Sequence, residues 1–127
     1  MESPERESML RVRNALASLR VDKQCDEFAL HRAVGAALSA HGIAFTAEAR
    51  LAPRRRIDFL TADGVGIEVK RAYPPRKQLI RQLSGYAECA QVCALLLLSE
   101  RSVSIPDAIC GKPCLSSSLG RLWGVEL

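Results

Sequence analysis

The sequence is poor in aromatic residues and histidine, and it contains no long apolar run. Only 5% of the 127 residues are aromatic, and the chain has three Phe, two Tyr, one Trp and two His. A platform on which successive bases of a single strand stack needs several aromatic side chains, so this composition argues against one. The longest apolar run, residues 92–98, is too short to cross a bilayer.

A secretory signal is also missing from the start of the chain. Residues 1–14 are charged throughout and lack a hydrophobic core, which predicts a cytoplasmic protein. The five cysteines are an odd number, and in that location they are expected to be reduced thiols. Cys110 and Cys114 could bind zinc or close a loop, but their spacing is unusual and both histidines are distant in sequence. A structural role for these two cysteines is therefore favoured.

Positive charge is concentrated in the middle of the chain. The net charge is +4, and nine of the 18 Lys and Arg residues fall between positions 50 and 81, where three acidic residues oppose them. Such a surface suits a phosphate backbone, although a solvated basic face is the commoner outcome. The candidate phosphate-binding residues are Arg54, Arg55, Arg56, Arg71, Arg76, Lys77 and Arg81.

The spacing of apolar residues predicts a single α/β domain. Residues 1–20 are interpreted as a polar arm that becomes helical from Glu7 onward, and residues 26–40 as a helix that ends at Gly42. Three strands (43–51, 54–60 and 65–70), a helix (76–90) and a strand buried on both faces (92–98) then complete a core over residues 26–98. Within the remaining 99–127, residues 102–120 are expected to be mostly loop and 122–127 an edge strand.

Two of these strands bring charged residues together. Asp63-Gly64 is a strong hairpin signal between β-branched and aromatic runs. Because strand side chains alternate, Glu68 and Lys70 share one face of the second strand, and Asp58 arrives on its neighbour. Two carboxylates and a lysine that lie close together are energetically unfavourable unless a ligand binds them. A divalent cation is the obvious user, since Mg²⁺ prefers one or two carboxylates together with waters and phosphates.

The element order and these residues resemble the common core of the PD-(D/E)xK nuclease superfamily, which has the restriction-endonuclease-like fold. Asp58 matches the first acidic residue, Glu68-Val69-Lys70 the (D/E)xK element, and Gln82 with Tyr86 a QxxxY element. The QxxxY element is a feature of RecB-type exonuclease branches. Glu27 stands where that fold often carries a helical acidic residue, which is also similar to archaeal-type Holliday-junction resolvases. The implied fold is an αβββαβ core with a mixed central sheet flanked by helices.

The resemblance implies a Mg²⁺- or Mn²⁺-dependent DNA nuclease. Asp58, Glu68 and the Val69 carbonyl would hold the metal ion, and Glu27 would add a further ligand. Lys70 would orient or deprotonate the attacking water and stabilise the charge that builds in the transition state.

Two residues of the following helix complete the expected catalytic set. Gln82 and Tyr86 would position the water, the lysine or the DNA strand, and their alternative is an ordinary pair on one helix face. His31 is interpreted as a helix-face residue rather than a ligand.

The expected substrate is duplex or branched DNA that is gripped by its backbone. Phosphate contacts read no sequence and no target-recognition domain is evident, so we expect little sequence specificity, and a domain of this size is expected to act as a homodimer. Two other classes stay open. One is a nucleic-acid-binding module that keeps the fold without cutting, and the other is a structural or regulatory subunit whose basic strip docks an acidic protein.

Overall fold

A computed structural model of the protein describes residues 3–17, 19, 26–71, 75–101 and 103–119. These residues form a mixed α/β structure of three helices and six strands. In chain order the elements are α1 (Pro4–Leu16), α2 (Glu27–Ala40), β1 (Phe45–Ala52), β2 (Arg55–Thr61), β3 (Val65–Lys70), α3 (Arg76–Ala87), β4 (Ala94–Ser99), β5 (Ala108–Ile109) and β6 (Lys112–Ser118). The predicted succession of helix, three strands, helix and strand is therefore observed from α2 to β4.

The strands form one mixed sheet in the order β1-β2-β3-β4-β6-β5. Strands β1, β2 and β3 are antiparallel neighbours, whereas β4 runs parallel to both β3 and β6. Helix α3 is the crossover that such a parallel β3–β4 connection needs. All six residues of β4 are buried, which confirms the prediction of a strand covered on both faces.

The helices cover the sheet on both sides. Residues Val65, Ile67 and Val69 of β3 pack with α1 and α2 in one apolar cluster. The opposite face of the sheet packs against α3 in a second cluster, which includes Leu83 and Leu97. Because side chains alternate along β3, Glu68 is directed into the α3 layer, and only 5% of it is exposed.

Helix α1 is longer than the sequence indicated. It begins at Pro4 rather than at Glu7, because the Ser3 hydroxyl accepts a hydrogen bond from the Arg6 amide at 3.2 Å and proline is well tolerated in a first turn. Its buried face is spaced for a helix and consists of Met9, Val12, Ala15 and Leu16. Asp26 is the N-cap of α2, and its Oδ1 atom accepts a hydrogen bond of 2.8 Å from the Ala29 amide.

The prediction that residues 102–120 are mostly loop is wrong. They contain the short hairpin of β5 and β6, which turns through Cys110 and Gly111, both with positive φ. Ser116, Ser117 and Ser118 lie in a strand because they pair with the last residues of β4. Pairing with a buried neighbour has outweighed a composition that is typical of loops. The edge strand expected over residues 122–127 lies outside the described residues.

The cysteines of the described chain are all free thiols, as predicted. Cys110 is exposed and Cys114 is buried, and neither belongs to a group of potential metal ligands among the described residues. None of the helices in this part of the chain is both long and apolar enough to cross a membrane.

Candidate active site

The backbone ladder between β2 and β3 opens at Asp58. Pairing runs through Phe59 and Ile67 and does not extend to Asp58. Ile57 and Phe59 are two residues apart, yet they pack into opposite apolar clusters, so the alternation of side chains is broken between them. Gly66 makes this possible, because a Cβ at that position would lie 2.6 Å from Ile57 Cδ1.

Two carboxylates occupy the gap between the strands. Asp58 Oδ2 accepts a hydrogen bond from the Val69 amide at 2.8 Å, and Glu68 Oε1 accepts a longer one from the Asp58 amide at 3.4 Å. The N–H and C=O groups of one strand residue point toward the same neighbouring strand, so the Val69 carbonyl also faces β2. The two predicted acidic ligands and the predicted carbonyl ligand are thus directed toward one opening in the sheet.

Lys70 and helix α3 converge on Glu68. Lys70 Nζ lies 3.1 Å from Glu68 Oε2, and Gln82 Nε2 donates to the same oxygen at 3.2 Å. Gln82 Nε2 also lies 2.9 Å from the Tyr86 hydroxyl, which donates to the Arg56 carbonyl at 3.0 Å. Tyr86 is 4% exposed. Gln82 therefore orients Glu68, whereas Tyr86 ties α3 to β2 from a buried position.

Burial disfavours negative charge at this site. It raises the pKa of Glu68 to about 7, with the neighbouring charge of Asp58 acting in the same direction and Lys70 opposing it. Burial also raises the pKa of Asp58, against the hydrogen bond from the Val69 amide. A bound cation would reverse both effects, and carboxylates perturbed in this way are common at functional sites.

His31 and Glu48 join Asp58 from the other face of the sheet, which the sequence did not indicate. His31 Nε2 lies 3.7 Å from Asp58 Oδ2, and His31 Nδ1 lies 3.8 Å from Glu48 Oε2. One ligand atom from each of the three residues lies within 4.8 Å of the other two. His31 Nε2 is buried and finds no hydrogen-bond partner among the described residues. An imidazole and two carboxylates with one unsatisfied nitrogen are a set of groups that could hold a metal ion.

Glu27, the predicted helical ligand, lies at the rim of this group. Its side chain is 69% exposed and its Oε2 atom is 3.9 Å from His31 Nε2. His31 follows it by one helical turn and reaches Asp58 directly. The spacing of four residues predicts that Glu27 and His31 share one helix face, but it does not show which of the two points to Asp58 on β2.

Glu48 has an unusual backbone conformation for a strand residue. Its φ is 53°, and the register of β1 with β2 skips Glu48 and Asp58, which would otherwise pair. A residue with a Cβ is destabilised by roughly 1–2 kcal/mol when its backbone adopts the left-handed conformation. The carboxylate gains a contact with Arg56, whose Nη1 lies 3.7 Å away. Strain of this kind is typical of functional positions.

Substitution of Glu48 by glycine and by alanine should distinguish the backbone strain at this position from the role of its carboxylate as a cation ligand. We expect Glu48→Gly to be more stable than Glu48→Ala by about 1 kcal/mol in chelator, because only glycine adopts positive φ without penalty. Both variants lose the carboxylate, so both should bind Mn²⁺ at least about tenfold more weakly than the parent protein. Urea unfolding and calorimetric titration measure the two effects. Equal stability of the variants would exclude the strain, and unchanged Mn²⁺ affinity would remove Glu48 from the site.

The predicted phosphate-binding residues divide into two groups. Arg55 donates to the Gly85 carbonyl at 2.9 Å, while Arg71 and Arg76 donate to a carboxylate and a backbone carbonyl at 3.1 Å each. These three side chains are engaged within the chain. Like Arg55 and Arg76, the other four are exposed: Arg54, Arg56, Lys77 and Arg81. Among them, Arg56 lies 3.7 Å from Glu48.

No protein-family model, no curated protein and no solved structure matches this chain. The assignment of a function consequently rests on the chemistry of its side chains.

Proposed function

We propose that the protein is a divalent-metal-dependent nuclease with a restriction-endonuclease-like core, which hydrolyses phosphodiester bonds in DNA with little sequence specificity. The observation that carries this proposal is the meeting of Asp58, Glu68 and Lys70 at one opening between adjacent strands. Asp58 bonds across the opening to the amide of Val69, and Lys70 lies 3.1 Å from Glu68. Carboxylates that resist ionisation and a neighbouring ammonium group are the parts that metal-assisted hydrolysis needs.

Asp58, Glu68 and the Val69 carbonyl would hold the metal ion, and His31 and Glu48 offer further donors next to Asp58. When bound, the cation supplies charge neutralisation at the phosphate and activation of water. Asp58 belongs to both sets of donors, so it is the residue on which cation binding depends most.

The chain's own residues account for the remaining requirements of the reaction. The Lys70 ammonium can orient the attacking water and stabilise the negative charge that grows on the phosphate oxygens. Gln82 keeps the Glu68 carboxylate in a fixed orientation through its hydrogen bond of 3.2 Å. Exposed arginine and lysine side chains, among them Arg54 and Arg56, can bind phosphates on either side of the scissile bond.

Incubation with a panel of DNA substrates tests the proposal. Linear duplex, nicked, single-stranded and four-way-junction DNA should be cleaved with Mg²⁺ or Mn²⁺ and should stay intact in chelator. Mn²⁺ should be the better cofactor, because it accepts an imidazole nitrogen beside carboxylates more readily than the harder Mg²⁺ does.

The Asp58→Asn variant is the matched inactive protein, since it keeps the size of the side chain and loses its charge. Absence of cleavage with every cation, together with strongly salt-dependent DNA binding, would identify a binding module without catalytic activity. Cleavage that persists in Asp58→Asn would point to a contaminating nuclease.

A further inference from the structure

All three phenylalanines of the chain line one open pocket beside the candidate cation site. The pocket has a volume of about 460 Å³, within the range of small-molecule sites. Phe45 and Phe59 form an edge-to-face pair in its wall, with ring centroids 5.6 Å apart. Gly35 lets helix α2 approach this pair, because a Cβ there would lie 3.3 Å from Phe45 Cζ. Three of the six aromatic residues of the sequence are thus found in one place.

Phe28 stands at the mouth of this pocket. It is 71% exposed, and it is the one large hydrophobic side chain that is exposed among the described residues. An aromatic ring that is presented to solvent beside a concave apolar surface is available to stack against a bound ligand. The guanidinium carbon of Arg32 lies 5.8 Å from the centroid of the Phe28 ring, which brings a positive charge to the same edge.

The pocket shares two residues with the group of potential cation ligands around Asp58. Glu27, His31 and Glu48 line the pocket, and His31 and Glu48 are also potential cation ligands with Asp58. A nucleic-acid strand whose phosphate lies at Asp58 therefore has the adjoining nucleotide at the entrance of the pocket. The lining includes the carboxylates of Glu27 and Glu48 together with the guanidinium of Arg32, so it suits a group that binds with both a cation and a phosphate.

We infer that the pocket is a subsite for one unpaired nucleobase next to the scissile phosphate, stacked on Phe28 with Arg32 facing the flanking phosphate. This inference rests on the proposed nuclease function and names its substrate class. Bases inside a duplex are stacked on one another and cannot enter a side pocket, so the subsite favours single strands, frayed ends and branch points. The scarcity of aromatic residues argues against a continuous stacking platform, but a single base needs only one exposed ring.

Binding measurements with Ca²⁺ test the subsite without relying on cleavage. A labelled single strand, the same strand with one abasic nucleotide at successive positions, and a blunt duplex are titrated by fluorescence anisotropy with the full-length protein. The variants are Phe28→Leu, which keeps apolar area but loses the aromatic face, and Phe28→Trp, which keeps the face. Thermal unfolding of all three proteins should coincide, because Phe28 is exposed.

Phe28→Leu should bind the single strand about tenfold more weakly than the parent protein, and its affinity for the blunt duplex should change less than about twofold. Phe28→Trp should bind like the parent, with additional quenching of indole fluorescence by the stacked base. One abasic position should weaken binding to the parent by a similar factor and have little effect on Phe28→Leu.

Three results would overturn the subsite. They are parent-like binding by Phe28→Leu, equal losses on single strand and duplex, and a Phe28-dependent self-association that explains the exposed ring as an interface between copies of the chain. If Phe28→Leu binds the single strand more weakly and the duplex unchanged, but no substrate is cleaved with Mg²⁺ or Mn²⁺, the nuclease function is excluded and the base pocket is retained. If cleavage occurs and Phe28→Leu binds every substrate like the parent, the base pocket alone fails.

Discussion

The Lys70→Gln variant should cleave DNA about a thousandfold more slowly than the parent protein while binding it with similar affinity. Lys70 Nζ lies 3.1 Å from Glu68 Oε2 at the edge of the site, and its side chain is 26% exposed, so it can reach both the carboxylate and a substrate. The neutral amide of glutamine cannot stabilise the charge that develops on the phosphate. Single-turnover cleavage at saturating protein, with anisotropy in Ca²⁺ for binding, measures the two quantities separately.

Arg13→Gln is the matched control for this experiment. Arg13 is exposed in the last turn of α1, and its substitution removes the same unit of positive charge away from the site. Cleavage by this variant should equal that of the parent protein. Equal losses in both variants would mean that Lys70 acts only through net charge. Full activity of Lys70→Gln would reduce Lys70 to an ion-pair partner of Glu68.

The metal-free protein should lose stability as the pH rises from about 4.5 to about 7, and Glu68→Gln should lose much less. Burial raises the pKa of Glu68 from 4.5 to about 7 on folding, so within this window the folded state keeps a proton that the unfolded state has released. The free energy of unfolding therefore falls with pH, by about 3 kcal/mol across the window. Asp58, whose pKa burial also raises, contributes in the same direction. Urea unfolding in chelator at several pH values gives the slope.

Glutamine at position 68 isolates the titrating group, since it preserves the shape of the side chain. Addition of Mn²⁺ should stabilise the parent protein more at pH 8 than at pH 5, because the cation binds the ionised carboxylates and not the protonated ones. Glu68→Gln should be more stable than the parent at pH 8 in chelator and should gain less from Mn²⁺. A parent protein whose stability rises from pH 4.5 to 7 relative to Glu68→Gln would contradict the buried, destabilised carboxylate.

The residues of the candidate site that lie on β3 and α3 could be predicted from the sequence. The turn at Asp63-Gly64 and the alternation of β3 place Glu68 beside Lys70, and a spacing of four residues places Gln82 and Tyr86 on one helix face. Side-chain alternation along a strand and a four-residue spacing along a helix both depend only on local backbone geometry, and both patterns are present in the structure. The span of α2 followed from periodicity for the same reason, whereas α1 begins three residues earlier and α3 ends three residues earlier than the sequence predicts.

The half of the site built on α2 and β1 could not be predicted, because it depends on two departures from regular geometry. The chain departs from alternation at Asp58, where Ile57 packs over the bare backbone of Gly66, and from extended geometry at Glu48. Neither departure has a local signal, since each depends on contacts between neighbouring strands rather than on the residues next to it in the chain. The prediction that His31 is only a helix-face residue therefore misses its approach to Asp58, whose Oδ2 atom lies 3.7 Å from His31 Nε2.

The kink at Glu48 has a consequence for the protein's colloidal behaviour. Strand β1 is the outermost strand on its side of the sheet, and a long regular strand in that position is a template for adding strands from other molecules. The left-handed residue at Glu48 and the charges of Glu48 and Arg50 interrupt that template halfway along β1. The distortion that brings a carboxylate toward the candidate cation site would thus also protect the exposed edge of the sheet against amyloid-like growth.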